Sequence, residues 1–379
     1  MLTVIFGGAF DPPHNEHVNT VRAAVKELGA ERVVLVPTYQ PPHKSAGFLD
    51  FAIRAELCRA AFADVGAEIV VDDEEKRRGH DNYASLLLPE LKKRYGDIIY
   101  LMGGDSLQYF GTWRNPQEIM ATCPVAVAAR EGYRDVQEAA KDAVERYGGE
   151  IRLLNYVGKD VSSAHIKTLF LLGERPDDVP NAVSDIIREK GLFREYADTV
   201  AKLRSFQSEE LYLHSRAALL RAVDLNSLHN LKQNYEQVFL AALLHDNAKE
   251  RPSLDGLDVP SDSVGTSVLH QFLGAEKAKR DFGIEDEAVL DAIRYHTTGR
   301  PAMSVLEKLI YTADSTSYDR DYEPIPALRA AVDENFDEGF FSLLKFTYEK
   351  IAAKGRAVYP LTEQALRYYE KERESAKGE

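Results

Sequence analysis

The pattern of secondary structure in the sequence changes about half-way along the chain. In the first half, short β-branched runs alternate with helical stretches; the runs are LTVIF, RVVLVP, DIIYLMGG, PVAVAAR and EIRLLNYV. Such alternation predicts parallel strands joined by crossover helices. From about residue 200 the strand pattern stops, and amphipathic helical segments follow, separated by loops rich in Pro, Gly and Asp. We therefore expect an N-terminal α/β Rossmann-like domain with a parallel sheet, followed by an all-α domain.

The length agrees with two domains. A chain of 379 residues is longer than one typical hydrophobic core supports. We expect the first domain at residues 1–193, a linker at 194–204 and the second domain at 205–379. The strand ends of the first domain carry glycines and an arginine, which places a binding site at the carboxyl edge of its sheet.

The composition excludes several classes of protein. Hydrophobic residues make up 44% of the chain and charged residues 28%, as in ordinary globular proteins. The formal net charge of -14 disfavours a broad basic face that binds nucleic acid. Cys58 and Cys123 are too few for a disulfide framework, and we expect neither a signal peptide nor a membrane helix. The protein is predicted to be cytoplasmic, and a homo-oligomer is left open.

The stretch GGAFDPPHNEH at residues 7–17 follows the first predicted strand directly. Gly7 and Gly8 would allow close approach of the backbone to a ligand, and a helix beginning near His17 would turn its free N–H groups toward a phosphate. His14 and His17 would donate hydrogen bonds to phosphoryl oxygens as negative charge develops. The stretch fits neither the P-loop nor the dinucleotide-binding fingerprint. The alternative is that the glycines shape a turn and the histidines cap a helix.

Four further segments occur in a recognisable order. They are VPTYQPPHK (36–44), GGDSLQYFGTW (103–113), VAVAAR (125–130) and VSSAHIK (161–167). With the first stretch they resemble bacterial nicotinate mononucleotide adenylyltransferases over residues 1 to about 193. The resemblance implies NAD biosynthesis: AMP passes from ATP, with Mg²⁺, to nicotinate mononucleotide, giving deamido-NAD and pyrophosphate. Catalysis would rest on positioning and on stabilisation of charge.

The same resemblance implies roles for individual residues. His14 and His17 would hold ATP phosphates, and Lys44 would add positive charge. Asp105 would lie near the nucleotide sugar and Trp113 against the pyridine ring, with core packing as the alternative for Trp113. The other binding residues implied are Gly7, Gly8, Phe10, Arg130, Ser162, Ser163 and Lys167.

Three positions depart from the pattern of that family. Glu16 stands in place of a glycine, Lys167 in place of an arginine, and Ala84 in place of a threonine near the nicotinate carboxylate. Lys167 lacks the bidentate fork of arginine. By themselves, Ser162 and Ser163 are equally well explained as a helix N-cap.

The helical half carries an adjacent His245 and Asp246 in AALLHDNAKE, at the end of an apolar helical run. Both side chains are metal ligands, although a buried histidine followed by a capping aspartate would have the same sequence. The surrounding words are LHSR, VLHQFLGAEKA and AIRYHTTGRPAMSVLEKLIYTADSTSYDRDY. From about residue 205 to 350 they resemble the HD superfamily of metal-dependent phosphohydrolases, most closely the YqeK-type branch that cleaves diadenosine tetraphosphate symmetrically.

This second resemblance implies a dinuclear centre, with iron as the expected metal. One metal would be bound by His214, His245, Asp246 and Asp314, and the other by His270, His296 and the shared Asp246. Imidazole and carboxylate ligands suit a transition metal, and two metals can activate a water and hold the phosphate that it attacks. Asp246 and Lys249 would be the catalytic residues. Lys249, together with Arg320, would also neutralise polyphosphate charge. The segment STSYDRDY and the insert RPSLDGLDVPSDSVG differ from the family pattern.

The leading hypothesis is a bifunctional enzyme that acts on ATP, nicotinate mononucleotide and diadenosine tetraphosphate or a similar nucleotide. A second hypothesis is that one domain is degenerate and serves as a nucleotide-sensing or scaffolding module for the other. A third, cleavage of nucleic acid by the HD half, is disfavoured by the acidic charge.

Overall fold

The computed structural model describes residues 1–39, 48–79, 82–131, 135–159 and 161–377. The chain divides into two compact units, Met1–Arg194 and Glu195–Glu379. Of the segment expected to be a linker, residues 195–204 fall in the second unit, and residues 197–204 are helical.

The described part of the first unit contains a six-stranded sheet in which the strands follow the order β3-β2-β1-β4-β5-β6. All of the strand pairs are parallel. The strands are β1 (Thr3–Gly8), β2 (Arg32–Pro37), β3 (Glu68–Val71), β4 (Ile98–Gly103), β5 (Val125–Arg130) and β6 (Ile151–Gly158). The predicted α/β class with a parallel sheet is confirmed.

Helices connect these strands, as the alternating pattern predicts. They are α1 (Asn15–Leu28), α2 (Phe51–Ala61), α3 (Glu74–Arg78), α4 (Ala84–Tyr95), α5 (Gly104–Gln108), α6 (Pro116–Thr122) and α7 (Val136–Tyr147). Two more helices, α8 (Ser163–Leu171) and α9 (Asn181–Glu189), follow the last strand. In α1, Val18, Val21 and Ala24 are buried on one face, and Gly29 ends the helix in the left-handed conformation that glycine favours.

The order of the strands fixes where a ligand can bind. Strand β1 lies between β2 and β4, so the connections leave its two sides in opposite directions. At such a switch point the loops beyond the strands separate and open a crevice at the carboxyl edge of the sheet.

The described residues of the second unit form helices joined by loops, with no strand among them, so the predicted all-α class is confirmed. Its helices are α10 (Ala197–Phe206), α11 (Glu209–Leu228), α12 (Tyr235–Leu244), α13 (Leu269–Phe282), α14 (Glu287–Arg294), α15 (Val305–Ser315), α16 (Ile325–Glu334), α17 (Phe336–Ala353) and α18 (Pro360–Lys377). Helices α11, α12, α14 and α15 pack against one another through largely buried faces. Among the described helices, none combines the length and apolar character needed to span a bilayer.

Candidate active sites

A cavity of about 690 Å³ lies at the carboxyl edge of the sheet in the first unit. The ends of β1, β4 and β5 contribute Gly7, Gly8, Gly103 and Arg130 to its wall. This is the switch point of the sheet, where the sequence predicts a nucleotide site. The volume suits a nucleotide-sized ligand.

His14 and His17 stand at the start of α1 and line this cavity. Their rings are stacked, with centroids 3.7 Å apart. The backbone N–H of His14 donates to Nδ1 of His17 at 3.2 Å. Because Nδ1 accepts, the neutral His17 ring carries its proton on Nε2 and can donate from there.

The environment keeps both histidines neutral. Burial, followed by the charge of Arg130, lowers the pKa of His17 to about 3. Burial, followed by His17 and Arg130, lowers the pKa of His14 well below its usual range. At neutral pH both rings are therefore uncharged, and they can contact a ligand through hydrogen bonds.

Arg130 connects three parts of the cavity wall. Its guanidinium donates to Oδ2 of Asp105 at 3.3 Å and to the carbonyl of Val161. Ser162 caps α8 by accepting from the N–H of His165 at 3.0 Å, and the Ser163 hydroxyl donates to the Pro12 carbonyl at 3.1 Å. The N-terminus of α8 is therefore tied to the loop that precedes the histidines, and Asp105, Ser162 and Ser163 all line the cavity.

Trp113 lines the cavity and also packs on the core. Its ring lies 5.5 Å from that of Phe110 and 6.4 Å from that of Tyr100. Ala84 lines the same cavity. The Trp113 ring is therefore anchored by packing and also contributes to the cavity wall, and its contact with a pyridine ring stays a prediction.

The structure does not bring every predicted residue to the cavity. Phe10 is fully buried and packs between Phe6 and Phe62, so it supports the loop from below and does not line the site. Lys167 is also buried, with Nζ 3.2 Å from Oδ2 of Asp11, and its charge is used within the protein. Lys44 lies outside the described residues.

Sequence reasoning missed two cations of the cavity wall, Arg114 and Lys159. Arg114 directly follows Trp113 and stacks over the ring of Tyr83 at 4.7 Å. Lys159 directly follows the end of β6. A positive residue next to a motif or a strand end was the signal that could have found them.

The second unit brings its predicted metal ligands together from three helices and from the two segments that follow α12 and α14. His214 lies on α11, His270 on α13 and Asp314 on α15, while His245 and Asp246 follow α12 and His296 follows α14. Two sets of ligand atoms lie within 4.8 Å of one another: His214, His245 and Asp314, and His245, Asp246 and His296.

Three of the histidines are oriented by a backbone carbonyl three residues earlier in the chain. Nδ1 of His245 lies 2.7 Å from the carbonyl of Ala242, and Nδ1 of His296 lies 2.7 Å from that of Ile293. Nδ1 of His270 likewise lies 2.8 Å from a carbonyl three residues earlier. A carbonyl can only accept, so each Nδ1 carries the proton and each Nε2 presents a lone pair to the centre.

Asp246 faces both halves of the cluster. Its Oδ2 lies 3.4 Å from Nε2 of His245 and 3.7 Å from Nε2 of His214. Its Oδ1 lies 3.4 Å from Nε2 of His270 and 3.5 Å from Nε2 of His296. One carboxylate oxygen toward each pair of histidines is the arrangement of a bridging ligand.

The cluster passes a test of fit to a transition metal. Ligand atoms at bond lengths of about 2.0 to 2.2 Å from a common metal lie roughly 3 to 4 Å from each other, as these do. Nε2 of His245 and Oδ1 of Asp246 are buried without a hydrogen-bond partner. A bound cation would satisfy both atoms.

Charged neighbours surround the ligands. Nζ of Lys249 lies 2.6 Å from Oδ2 of Asp246, and Nη2 of Arg320 lies 2.7 Å from Oδ1 of Asp314. Burial alone would raise the pKa of Asp246, but His245 and His296 outweigh it and hold the pKa well below its usual range. The carboxylate is therefore ionised and ready to bind a metal.

Asp319 is a neighbour of the centre that sequence reasoning missed. Its Oδ2 lies 2.9 Å from Nδ1 of His214, whose Nε2 lies 2.9 Å from Oδ1 of Asp314. It orients the one ligand histidine whose Nδ1 contacts a side chain instead of a carbonyl. Its position one residue before Arg320 in the divergent segment STSYDRDY gave no signal.

Comparisons with known proteins agree with both sites. Residues 5–169 match the cytidylyltransferase-like family, and residues 211–319 match the HD domain family. A probable nicotinate-nucleotide adenylyltransferase from Citrifermentans bemidjiense is 34% identical over 213 residues, covering 50% of this chain and 96% of that protein. A symmetrical bis(5'-nucleosyl)-tetraphosphatase from Halalkalibacterium halodurans is 33% identical over 163 residues, covering 41% of this chain and 86% of that protein.

The chain belongs to the cytidylyltransferase-like family in its first half and to the HD domain family in its second half. A probable nicotinate-nucleotide adenylyltransferase/Ap4A hydrolase from Mycoplasma genitalium is 23% identical over 357 residues, covering 90% of this chain and 97% of that protein. That relative carries both names on one chain. The two resemblances that the motifs indicate are confirmed.

Proposed function

We propose that this protein is a bifunctional enzyme of NAD biosynthesis and nucleotide turnover. The first unit transfers AMP from ATP to nicotinate mononucleotide, and the second hydrolyses diadenosine tetraphosphate. The observation that supports this most directly is the presence of two separate groups of candidate site residues on one chain. One is a histidine and arginine cavity at the switch point of a parallel sheet, and the other is a buried cluster of four histidines and two aspartates.

In the transferase, an oxygen of the mononucleotide phosphate attacks the α-phosphorus of ATP, and the bond from that phosphorus to the pyrophosphate oxygen breaks. Pyrophosphate leaves with the Mg²⁺ that entered with ATP. Nε2–H of His17, the guanidinium of Arg130 and the N-terminus of α8 donate to the oxygens on which charge grows. These groups need no proton transfer, so the chemistry rests on positioning.

The opposite end of the cavity would hold the pyridine nucleotide. Trp113 offers an aromatic face held in place by Phe110 and Tyr100. Arg114, the next residue along the chain, also lines the cavity, and its positive charge would suit the carboxylate of nicotinate. Preference for nicotinate over nicotinamide is therefore part of the proposal, even though Ala84 offers no hydroxyl.

In the hydrolase, His214, His245, Asp246 and Asp314 would hold one metal, and His270, His296 and Asp246 the second, with iron as the proposed metal. When bound, such a pair lowers the pKa of a water and stabilises charge on the phosphate. The carbonyl contacts of the histidines keep the ligand atoms oriented. Lys249 and Arg320 contact the ligand carboxylates of Asp246 and Asp314, and we propose that they also neutralise polyphosphate charge. The cytoplasmic location stays a prediction.

The transferase proposal is tested with the purified chain, Mg²⁺-ATP and either nicotinate or nicotinamide mononucleotide. We expect dinucleotide and pyrophosphate in equal amounts, with higher kcat/KM for the nicotinate form. Absence of turnover with both nucleotides would refute the transferase and leave the sensing hypothesis for this unit.

The hydrolase proposal is tested after anaerobic reconstitution with iron. We expect close to two metals per chain and conversion of one diadenosine tetraphosphate into two molecules of ADP. Binding of less than one metal per chain would refute the dinuclear assignment, and asymmetric products would refute the symmetric cleavage.

A further inference from the structure

Glu16 occupies an unusual place for a carboxylate, in the wall of the cavity that is proposed to receive ATP phosphates. It does not point freely into that space. Its Oε2 accepts from the hydroxyl of Tyr156 at 2.6 Å and from the backbone N–H of Lys159 at 3.0 Å, and its Oε1 accepts from Nδ2 of Asn19 at 3.3 Å. The carboxylate therefore joins the first turn of α1 to the end of β6.

Gly158 is matched to this contact. A Cβ at that position would lie 2.9 Å from Oε2 of Glu16 and 3.3 Å from Cε1 of Tyr156. Only glycine lets the carboxylate approach the backbone this closely. Burial, followed by the hydrogen bond to Glu16, raises the pKa of Tyr156 to about 12, so its hydroxyl remains a donor.

The segment that Glu16 holds leads into the predicted phosphate site. From Lys159 the chain runs to Ser162, which caps α8, and the carbonyl of Val161 accepts from Arg130. The carbonyl of Gly158 accepts from the N–H of Glu131 at 2.9 Å. Each neighbour thus holds a different part of the segment, and Glu16 accepts from the backbone N–H of Lys159.

The resemblance to the adenylyltransferases implies a cation on α8 near the ATP phosphates. The family pattern has an arginine at position 167, but Lys167 is buried against Asp11 and does not line the cavity. Lys159 does line it, beside Ser162 and Ser163. The backbone of Lys159 is held by a hydrogen bond to Glu16. A lysine held in this way loses less conformational entropy when it binds a phosphate than a lysine on an untethered loop.

We propose that Lys159 is a phosphate-binding residue of the transferase and that Glu16 is the positioning residue that holds it at the cavity. The inference rests on the proposed adenylyl transfer. It assigns Glu16 an indirect role, so the carboxylate favours polyphosphate binding although its own charge is negative.

The test is a double-variant cycle of the full-length chain. Lys159→Ala is expected to raise KM for Mg²⁺-ATP by about tenfold or more, as for loss of a charge-assisted hydrogen bond, with a smaller change in kcat. Glu16→Ala is expected to raise KM in the same direction. The double variant is expected to be no worse than Lys159→Ala alone, because two residues that act through one contact are not additive.

Two variants separate positioning from general loosening. Glu16→Gln keeps a carbonyl that can accept from Tyr156 and Lys159, so we expect its KM to be near that of the unaltered protein. Glu27 makes the matching contact at the other end of α1, since its Oε2 accepts from the N–H and Nδ2 of Asn155, both at 2.9 Å. Glu27 does not line the cavity, so Glu27→Ala is expected to leave KM unchanged.

Binding of α,β-methylene ATP is measured alongside turnover, by calorimetry. If the unaltered chain binds the analogue but gives no dinucleotide from Mg²⁺-ATP, the proposed function fails. The double-variant cycle then still tests the inference through the Kd of the analogue. Tighter ATP binding by both Glu16→Ala and Glu16→Gln would overturn the inference, because Glu16 would then act by repulsion. Additive effects in the double variant, or no effect of Lys159→Ala, would overturn it as well.

Discussion

His17 is the residue on which the transferase mechanism depends most. Its Nε2–H is available because Nδ1 accepts from the backbone of His14, and Phe10 supports its ring at a centroid distance of 5.2 Å. We expect His17→Ala to lower kcat by a factor of about 10² to 10³, the effect of removing one donor to a developing oxyanion. His17→Asn should retain part of the rate, because an amide also donates.

The measurement is pyrophosphate release at saturating ATP. Hydrolysis of diadenosine tetraphosphate by the same preparation serves as the internal control, because His17 lies in the other unit. A loss confined to KM, with kcat unchanged, would contradict the role in the transition state.

Asp319 should set the metal affinity of the second unit through His214. Removing the outer partner of a ligand histidine weakens metal binding by about 10-fold to 100-fold in known centres. We therefore expect Asp319→Ala to lower the affinity for the metal by that factor, measured by competition with a chelator. Asp321→Ala removes the same charge two residues away and is the control; equal effects of the two changes would mean that only net charge matters.

At this scale, the sequence predicted residue types better than side-chain directions. The metal ligands were assigned from the resemblance to the HD superfamily, since the His-Asp pair alone fits a capped helix end equally well, and the six predicted ligands do converge. Phe10 and Lys167 were assigned to the nucleotide by their place in a motif. The motif does not show that a left-handed φ of 49° at Phe10 turns the ring into the core, or that Asp11 binds Lys167.

Among the elements, α15 offers the clearest test, because it carries Asp314 and begins with a reciprocal cap. The hydroxyl of Ser304 accepts from the N–H of Glu307 at 3.2 Å, and Oε2 of Glu307 accepts from the N–H of Ser304 at 2.7 Å. Glu307 is 1% exposed and also binds Arg300 at 2.5 Å. We expect Ser304→Ala to lower the free energy of unfolding of the second unit by about 1 kcal/mol.

That loss corresponds to a decrease in Tm of roughly 2 to 4 °C for a unit of this size. It is measured by calorimetry of the metal-loaded protein, with Ser304→Thr as the conservative control that keeps the hydroxyl. The metal ligand on α15, Asp314, lies at the other end of the helix, so hydrolytic kcat should not change. An unaltered Tm would show that Arg300 and Glu307 hold the turn without the cap.

The elements that sequence patterns predicted are those with a strong period or a long buried run. Strands β1, β2, β4, β5 and β6 all fall on β-branched stretches. Strand β3, the sequence EIVV, was missed because it is four residues long, lies at the edge of the sheet and is half-buried. A short edge strand owes its existence to the neighbour that it pairs with, and a local pattern does not report that pairing.

On the scale of the whole molecule, the candidate sites for adenylyl transfer and for hydrolysis of diadenosine tetraphosphate lie in two separate units. Each unit has its own buried core and its own charged site, and Asp246 provides the sharpest way to separate them. Because its two oxygens face different histidine pairs, loss of this one side chain should disturb both metals. Truncating it also leaves the ligand histidines without their shared carboxylate.

We expect Asp246→Ala to abolish hydrolysis of diadenosine tetraphosphate and to reduce bound metal to less than one per chain. The kcat and KM of adenylyl transfer should remain those of the unaltered protein. Asp246→Asn keeps the volume of the side chain but removes its negative charge. It should give the same result as Asp246→Ala if the charge holds the metals, and a milder result if packing of the side chain matters. Stripping the metal from the unaltered protein should lower the Tm of the second unit alone, since a ligand stabilises only the unit that binds it. A parallel loss of transferase activity would mean that the two units share a conformational equilibrium, and the units would then form one regulated enzyme instead of two joined ones.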